Sequence, residues 1–472
     1  MKRLLHADHS RRTFLRGAGL TLAGFGLQSL FPTPFLRHAM AAAGDAKFMF
    51  IFLRGGNDGL NAVIPHGDAD YNTTNRPTLY IAPGDAVDLG NGFASLHPVL
   101  SDLMAPFNAG DLAILHRVGY ENSSHSHFDG QRVWENGDPA QKQLFEGWLY
   151  RTIQQTALDQ GVDLPVMSVQ GVQPTILRGD TSYVNVANPD TFDYLHSDPK
   201  RSKYADAWRG LYQDLSGLEP YRPLLQDAGL KMVDTLDEYR SWDQLNWDPK
   251  DPNTGWSLFP VSDLTNPDDP SGPNGKKFAT NSYGFFRSLK VATLALLEDA
   301  GSANNGTRIT GLELGSFDTH TNQGSQNGTQ PNLLNWLGYG LKSVRVALSG
   351  AATDPRNYQS VWNNTVVATM SEFGRTSKEN GSFGTDHANG SCMFVEGGNV
   401  NGGLYNLDGS TWPAGTMFAI NGRYVSPRTD YRSIFWEIMR DHMGVAPGSL
   451  ETVFPGYTAA GLAAQEPGII QI

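Results

Sequence analysis

The chain has 472 residues, with 36 Lys and Arg against 48 Asp and Glu, which gives a net charge of −12. This acidic balance excludes a polycation that coats nucleic acid, and 39% hydrophobic residues are enough to bury a sizeable core. The single cysteine, Cys392, excludes an intrachain disulfide and any metal site built from several thiolates. We expect Cys392 to be a buried apolar filler, and any metal to be held by imidazole and carboxylate groups.

Residues 1–43 have the pattern of a twin-arginine export signal. A basic stretch containing Arg11 and Arg12 leads into a weakly apolar stretch, and the segment ends in small residues up to Ala43. Its removal takes away six basic residues and one acidic residue, which leaves 30 basic and 47 acidic residues and a net charge of −17. We therefore expect the twin-arginine translocase as a partner during export, and a periplasmic or secreted mature protein with no membrane span and no bound nucleic acid.

Beyond the signal, short β-rich apolar runs alternate with amphipathic helical stretches, a pattern typical of an α/β fold with a mostly parallel sheet between helices. In chain order, we predict strands at 48–53, 112–118, 308–314, 365–370 and 392–395, and helices at 282–299, 332–348 and 431–443. We treat 44–472 as a single domain with a loop-rich insertion at about 196–281, where Pro, Asp, Asn and Gly are frequent. Tryptophans in the insertion, such as Trp242 and Trp247, are expected to anchor it to the body of the domain.

Polar residues gather where the predicted strands end, which in open parallel sheets is the edge that binds ligands. They are Arg54 and Asp58 after the first strand, Ser124, Ser126 and His127 after the second, Asp318 and His320 after the third, Glu372 and Arg375 after the fourth, and Asp386 and His387 before the last. Side chains i and i+2 of an extended chain share a face, so Asp318 and His320 are placed to grip one ion. Carboxylates and imidazoles from five segments favour a hard or borderline cation such as zinc, calcium, magnesium or manganese.

Each of these residue types also has an ordinary structural use. Asp58 stands in a Gly-rich turn, and Ser124 and Ser126 are natural helix N-caps. The histidines of the second loop suit a solvated loop, and the two arginines suit ties between segments as well as an anionic substrate. The chain lacks a Gly-x-Ser-x-Gly elbow, a phosphate-binding Gly-x-x-x-x-Gly-Lys loop and a His-Glu-x-x-His helix, which argues against ordinary serine esterases, nucleotide hydrolases and zinc-helix proteases.

Five motifs carry a resemblance to a known family. The chain contains FIFLRGGNDGLN at 50–61, SHFD at 126–129, FDTH at 317–320, SEFGRT at 371–376 and GTDH at 384–387. Together they resemble domain of unknown function family 1501 (DUF1501), over nearly the whole mature chain. That family is typically exported by the twin-arginine route and is placed in the alkaline phosphatase and sulfatase superfamily. The resemblance implies a three-layer sandwich, with helices on both faces of the sheet and one or two metal ions for hydrolysis of phosphate or sulfate esters.

The resemblance also implies roles for particular residues. Asp58 resembles the first metal-binding Asp, Asp318 and His320 resemble the next metal motif although they are closer together than is usual, and His387 resembles a late metal-binding His. The main departure is Phe373, which stands where the superfamily often has a metal-binding His. A phenylalanine has no lone pair for a cation, so a second ion would depend on Asp58 and Glu372, with Asp386 as a further candidate ligand.

As an enzyme, the chain would use an ion held by Asp318, His320 and His387 to polarise an ester oxygen. Ser126, or alternatively Ser124, would attack, and His127 would pass protons to the leaving group. Arg375 and Arg54 are the candidate contacts to an anionic ester substrate.

Two other classes of function remain open at this point. The first is a non-catalytic exported scaffold or binding protein that keeps the same fold, which the departure at Phe373 favours. The second is an exported oxidoreductase, which rests on the export route alone.

Overall fold

The computed structural model describes residues 46–156, 158, 159, 162, 164–192, 201–213, 221–298 and 306–471. The predicted export signal, 1–43, lies outside the described residues. Strands in chain order are β1 (Lys47–Leu53), β2 (Val63–Ile64), β3 (Val87–Asp88), β4 (Ser95–Leu96), β5 (Leu112–Gly119), β6 (Val166–Ser168), β7 (Val184–Asn185), β8 (Ile309–Leu314), β9 (Thr365–Met370), β10 (Ser391–Gly397), β11 (Gly403–Tyr405) and β12 (Thr429–Asp430). All five strands expected from the sequence are present, to within two residues at each end.

Nine strands form the central sheet, in the order β11-β5-β10-β9-β1-β8-β6-β7, with β12 paired to β5. Strand β1 lies in the middle and pairs in parallel with β8 and β9. Strand β10 runs antiparallel to both of its neighbours, β5 and β9, whereas the other pairs in this sheet are parallel. The prediction of an α/β fold with a mostly parallel sheet is therefore confirmed. Strands β2, β3 and β4 form a separate small antiparallel sheet.

Strand β1 shows why the sheet is covered on both faces. All seven of its residues are buried, and after Lys47 they alternate between two hydrophobic clusters, because successive side chains of a strand point to opposite faces. Phe48, Phe50 and Phe52 belong to one cluster. Met49, Ile51 and Leu53 belong to the other. A strand buried on both faces reads as a continuous apolar run, which is the pattern that identified β1 in the sequence.

Helices cover both faces of the sheet. They are α1 (Gly59–Ala62), α2 (Met104–Ala109), α3 (His127–Asn136), α4 (Trp148–Thr156), α5 (Arg201–Gln213), α6 (Arg222–Ser241), α7 (Tyr283–Leu297), α8 (Thr329–Leu348), α9 (Tyr431–Glu437) and α10 (Leu450–Val453). The buried residues of α7 and α8 join the cluster of Met49, and those of α3, α4 and α9 join the cluster of Phe48. The predicted helix at 431–443 is α9 followed by a π-helical turn, Ile438–His442.

The segment predicted as a loop-rich insertion has two different halves. Its first half contains α5 and α6, which contact each other around the buried residues Ala205 and Val233, so helices stand where loops were expected. The composition that suggested loops is confined to the second half, 242–281, which consists of turns and irregular chain with short 3₁₀ helices at Pro273–Gly275 and Thr280–Ser282. Trp242 and Trp247 are buried in the main core and anchor this half, as expected. No helix among the described residues is long and apolar enough to cross a membrane.

Candidate metal centre at one edge of the sheet

Chain direction explains why the polar segments meet. Strands β1, β5, β8 and β9 run the same way, so the loops after them emerge at one edge of the sheet. Because β10 is antiparallel, it begins at that edge, and the loop before it joins the others there. All five segments singled out in the sequence therefore open onto the same side of the molecule.

Three side chains form a compact group at this edge. One ligand atom from each of His127, Asp318 and His387 lies within 4.8 Å of the other two. Asp318 Oδ2 lies 3.4 Å from His127 Nε2, and Asp318 Oδ1 lies 3.1 Å from His387 Nε2. His320 joins them, with its Nε2 also 3.1 Å from Asp318 Oδ1. We call these four residues the cluster.

The spacing of the cluster suits a tetrahedral ion. Zinc binds nitrogen and oxygen at about 2.0–2.2 Å, which places neighbouring ligand atoms of a tetrahedron roughly 3.3–3.6 Å apart. The four cluster distances of 2.9–3.4 Å lie at the lower end of that range or a few tenths of an ångström below it. His127 Nε2 is buried and makes no hydrogen bond within the described residues, although it lies beside the Asp318 carboxylate.

The other ring nitrogen of each imidazole is bound to an oxygen that can only accept a hydrogen. The pairs are His127 Nδ1 with Glu372 Oε1 at 3.0 Å, His320 Nδ1 with Asp386 Oδ1 at 3.2 Å, and His387 Nδ1 with the His125 carbonyl at 2.7 Å. A neutral ring in this position therefore carries its proton on Nδ1, and its Nε2 lone pair then faces Asp318. Metal-binding histidines are oriented in this way by carboxylates and carbonyls behind the ring.

The contact between His320 and His387 needs a positive charge. Their Nε2 atoms lie 2.9 Å apart, and if both rings were neutral two lone pairs would face each other at that distance. Either a further proton or a cation must stand between them. A cation satisfies both nitrogens and Asp318 at once, which makes the donor set chemically complete for a metal.

Burial and hydrogen bonding shift the pKa values of the titratable groups of the site. Burial raises the pKa of Asp318, but the hydrogen bond from the Arg375 guanidinium and the contact with His387 outweigh this effect and lower the pKa to about 2. The hydrogen bond to Glu372 raises the pKa of His127 above its ordinary value. Burial lowers the pKa of His387, which favours the neutral ring that a metal requires.

Phe373 forms the apolar wall of the site. Its ring centroid lies 4.5 Å from that of His387 and 5.0 Å from that of His127. The ring is buried and fills the space beside Gly56, where a β-carbon would come within 2.5 Å of it. Gly56 also has a φ of +82°, so both the turn and the close approach require glycine. Phe373 thus holds two imidazoles in place without binding a cation itself.

The loop before α3 carries the predicted nucleophiles. Ser126 occupies the N-cap position of α3, but its side chain makes no capping hydrogen bond. It lies between His127, a member of the cluster, and His125, whose carbonyl binds His387. His125 has a φ of +54°, in the left-handed region that histidine enters more readily than most residues other than glycine. Ser124 is exposed, and its Oγ accepts a hydrogen bond from the Ser126 N–H at 3.4 Å.

Three of the predicted metal ligands are not members of the cluster. Glu372 and Asp386 lie behind His127 and His320, whose rings they orient. Asp58 is fully buried elsewhere, and Arg76 binds both of its carboxylate oxygens, at 2.7 and 3.2 Å. A carboxylate neutralised by a buried guanidinium is poorly placed to hold a cation, so a second ion bound by Asp58 and Glu372 has no support from this geometry.

Both predicted substrate arginines are occupied by the protein. Arg375 is buried and donates to the carbonyls of Gly56 at 2.8 Å and Thr385 at 3.0 Å, and to Asp318 Oδ1 at 2.6 Å. It ties together three of the loops that form the site. Arg54 binds Glu135 at 3.1 Å and Glu313 at 2.5 Å. Both guanidinium groups are thus engaged by protein groups and are poorly placed to bind an anionic substrate.

Gln323 was not expected from the sequence and links the loops of the site. Its Nε2 donates to Asp58 Oδ2 at 2.6 Å. Its Oε1 accepts from Thr319 Oγ1 at 2.9 Å and from Thr385 Oγ1 at 2.6 Å. Thr319 stands between Asp318 and His320, and Thr385 comes two residues before His387. No signal in the sequence distinguishes Gln323 from other glutamines, because its role depends on three partners that only the fold brings together.

Comparison with protein families gives one match. A family model described as "Protein of unknown function (DUF1501)" matches residues 289–409. This match supports the DUF1501 family. The DUF1501 segment contains Asp318, His320 and His387, together with Glu372 and Asp386, whereas His127 lies before it. No curated protein and no solved structure matches the chain.

Proposed function

We propose that this protein is an exported, metal-dependent hydrolase of phosphate or sulfate esters. The observation that carries the proposal is the convergence of three imidazole Nε2 atoms on the Asp318 carboxylate, with an oxygen acceptor behind each ring at Nδ1. Three imidazoles and one carboxylate favour zinc, with manganese as the next choice, over calcium and magnesium, which prefer all-oxygen sites. Export by the twin-arginine route to the periplasm or beyond is part of the proposal and rests on residues 1–43.

We assign metal binding and nucleophilic attack to different residues of the site. His127, Asp318, His320 and His387 would hold one divalent ion, which supplies a Lewis acid to polarise the ester and stabilise developing negative charge. Ser126 would attack the phosphorus or sulfur, since its hydroxyl is not used as a cap and lies at the amino end of α3, where the helix dipole favours negative charge. The bond from phosphorus or sulfur to the ester oxygen would break, the alcohol would leave with a proton from solvent in exchange for the serine proton, and water would then release phosphate or sulfate from Ser126. Because both nitrogens of His127 face acidic partners, we assign it to the metal and not to proton transfer.

A hydrolysis assay with paired variants tests this proposal. The protein is purified without chelator, loaded with zinc or manganese, and given p-nitrophenyl phosphate and p-nitrophenyl sulfate. We expect turnover of one ester, abolished in Ser126→Ala while bound metal is unchanged, and abolished in His387→Ala together with bound metal. Ser124→Ala is the matched control and should keep most of the activity. Metal binding without turnover of either ester, or full activity in Ser126→Ala, would contradict the proposal.

A non-catalytic role is the second candidate, and one observation favours it. Arg375 Nη2 lies 2.6 Å from Asp318 Oδ1 and already offers that carboxylate a positive partner. With protonated imidazoles, the site would be a closed network of ion pairs that ties five loops together. In that case the protein would bind no metal even after reconstitution, and His387→Ala would lower thermal stability without any change in metal content.

A further inference from the structure

Four exposed apolar side chains stand at the edge of the sheet that carries the cluster. We call them the apolar rim, and they are Phe128, Val172, Leu264 and Phe383, with exposed fractions of 82, 77, 98 and 55%. Single exposed apolar residues are ordinary on a protein surface, whereas a group of them on one side of a molecule indicates an interaction surface.

Two members of the apolar rim are joined directly to the candidate site. Phe128 follows His127 in the first turn of α3. Phe383 lies in the loop between β9 and β10, and its carbonyl accepts a hydrogen bond from the Gln323 N–H at 3.0 Å. Phe383 has a φ of +60°, for which glycine or asparagine is the ordinary choice. Neither packing nor backbone conformation therefore accounts for an aromatic ring at this position.

The other two members lie farther along the same edge. Val172 follows β6, and its neighbour Gly171 lines a cavity together with the end of β8. Leu264 comes before α7, and the adjacent Asp263 accepts a hydrogen bond from Tyr283, the first residue of α7, at 2.6 Å. The start of α7 lines the same cavity, so the loop of Leu264 also belongs to this edge. Four separate loops thus each present one apolar side chain to solvent on one side of the molecule.

The apolar rim does not form a groove. Cavities of about 670 and 440 Å³ open at this edge, and no rim residue lines either of them. The four side chains therefore protrude singly, and together they expose roughly 550 Å², which is less than the about 800 Å² that each partner buries in a stable protein interface. A second protein would also need a continuous, closely packed surface. Single protruding side chains suit a fluid surface, which closes around each of them.

Charge indicates which fluid surface fits. The chain has a net charge of −12, so an anionic surface repels it. Two basic side chains near the rim are already paired, Lys142 with Asp129 at 2.8 Å and Arg287 with Asp190 at 3.1 Å. Attraction to a surface must therefore come from burial of the apolar side chains, and a zwitterionic lipid surface is the complementary one.

We propose that this edge of the molecule binds the surface of a zwitterionic lipid bilayer, with the apolar rim inserted between the headgroups. The rim contains no member of the cluster, so the binding requires neither a metal nor hydrolysis. The cluster faces the headgroup layer in this orientation. Combined with the proposed function, the inference places the hydrolase at a membrane surface, although the binding itself rests on the rim alone.

Flotation of the mature protein with lipid vesicles, with and without chelator, tests the inference. The vesicles are made of phosphatidylcholine, or of equimolar phosphatidylcholine and phosphatidylglycerol. We expect the protein to bind the zwitterionic vesicles and to bind the anionic ones no better. Leu264→Ser and Phe128→Ser should each weaken the binding roughly tenfold, because each removes one apolar side chain that the bilayer buries. Leu264 is almost fully exposed, so its replacement leaves the fold intact.

Two exposed leucines outside the apolar rim provide matched controls. Leu211 lies on α5. Leu245 lies near Trp247, whose indole donates to Asp354 Oδ2 at 2.7 Å, in the segment that leads into β9 at the opposite edge of the sheet. Leu211→Ser and Leu245→Ser should bind vesicles as the unaltered protein does.

Every other outcome counts against the inference. It is wrong if neither kind of vesicle binds, if only the anionic vesicles bind, or if all variants bind equally. It is also wrong if Leu211→Ser loses binding while Leu264→Ser keeps it, or if Leu264→Ser dissociates a dimer that does not bind vesicles. Vesicle binding without ester hydrolysis would leave the membrane surface in place and refute the proposed function, whereas hydrolysis of soluble esters without vesicle binding would do the reverse.

Discussion

Replacing Glu372 with Gln tests whether the carboxylate behind His127 prepares that ring for a metal. Glu372 Oε1 accepts hydrogen bonds from His127 Nδ1 at 3.0 Å, the Gly55 N–H at 2.8 Å and Gln131 Nε2 at 3.1 Å. The amide keeps the size of the side chain but removes its negative charge, which weakens the His127 contact and lowers the basicity of Nε2. Loss of such a partner costs about 10–100-fold in metal affinity, or about 1.4–2.8 kcal/mol.

The measurement is a competition titration of zinc against a chromophoric chelator. It is made at about pH 8.5, well above the ordinary imidazole pKa, so that protons compete little for the ring. Glu396→Gln is the matched control, because Glu396 is also fully buried but lies five residues along β10 from the edge, roughly 17 Å away. Equal zinc affinity in Glu372→Gln and the unaltered protein would refute the role given to Glu372.

Three further predictions concern Asp386, Gln323 and Glu396. Asp386→Asn should reduce zinc affinity less than Glu372→Gln does in the same titration, because Asp386 is half-exposed and its bond to His320 is longer, at 3.2 Å. Gln323→Leu should lower the free energy of unfolding by about 3 kcal/mol in urea, since three buried hydrogen bonds are lost. Burial raises the pKa of Glu396 well above its ordinary value, so the folded state keeps a proton that the unfolded state releases. Relative to Glu396→Gln, the unaltered protein should therefore lose up to about 1.4 kcal/mol of stability per pH unit as the pH rises above about 4.3, and a gain would contradict the assignment.

Much of the fold was predictable because it depends on local patterns. Strand β1 is apolar from Phe48 to Leu53 since both of its faces are covered, and a short, uninterrupted apolar run rich in phenylalanine is typical of a central strand. The strand ends then placed the polar loops at one edge. Helices α5 and α6 were not predicted within the insertion, since the Pro-rich and Asp-rich sequence that indicates loops lies in its second half and the first half carries no such signal.

The candidate site was predictable as a set of residues but not as a set of roles. His127, Asp318, His320 and His387 were all singled out, and the structure brings them together. A sequence cannot show whether a carboxylate binds the metal itself or accepts a hydrogen bond from the Nδ1 of a metal-binding histidine. That distinction depends on loops that meet only in the fold. Asp58 illustrates the limit, since its partner Arg76 belongs to a segment with no motif.

The most direct test of the metal centre is the stoichiometry of zinc binding together with the protons released. Calorimetry in buffers of different ionisation enthalpy gives both quantities for the mature protein, with His387→Ala as the variant and His66→Ala as the control outside the cluster. We predict one zinc per chain, release of at least one proton near pH 7 as the cation replaces the charge between His320 and His387, and loss of binding in His387→Ala alone. No bound zinc, or equal binding in the variant and the control, would contradict the assignment of the cluster as a metal centre.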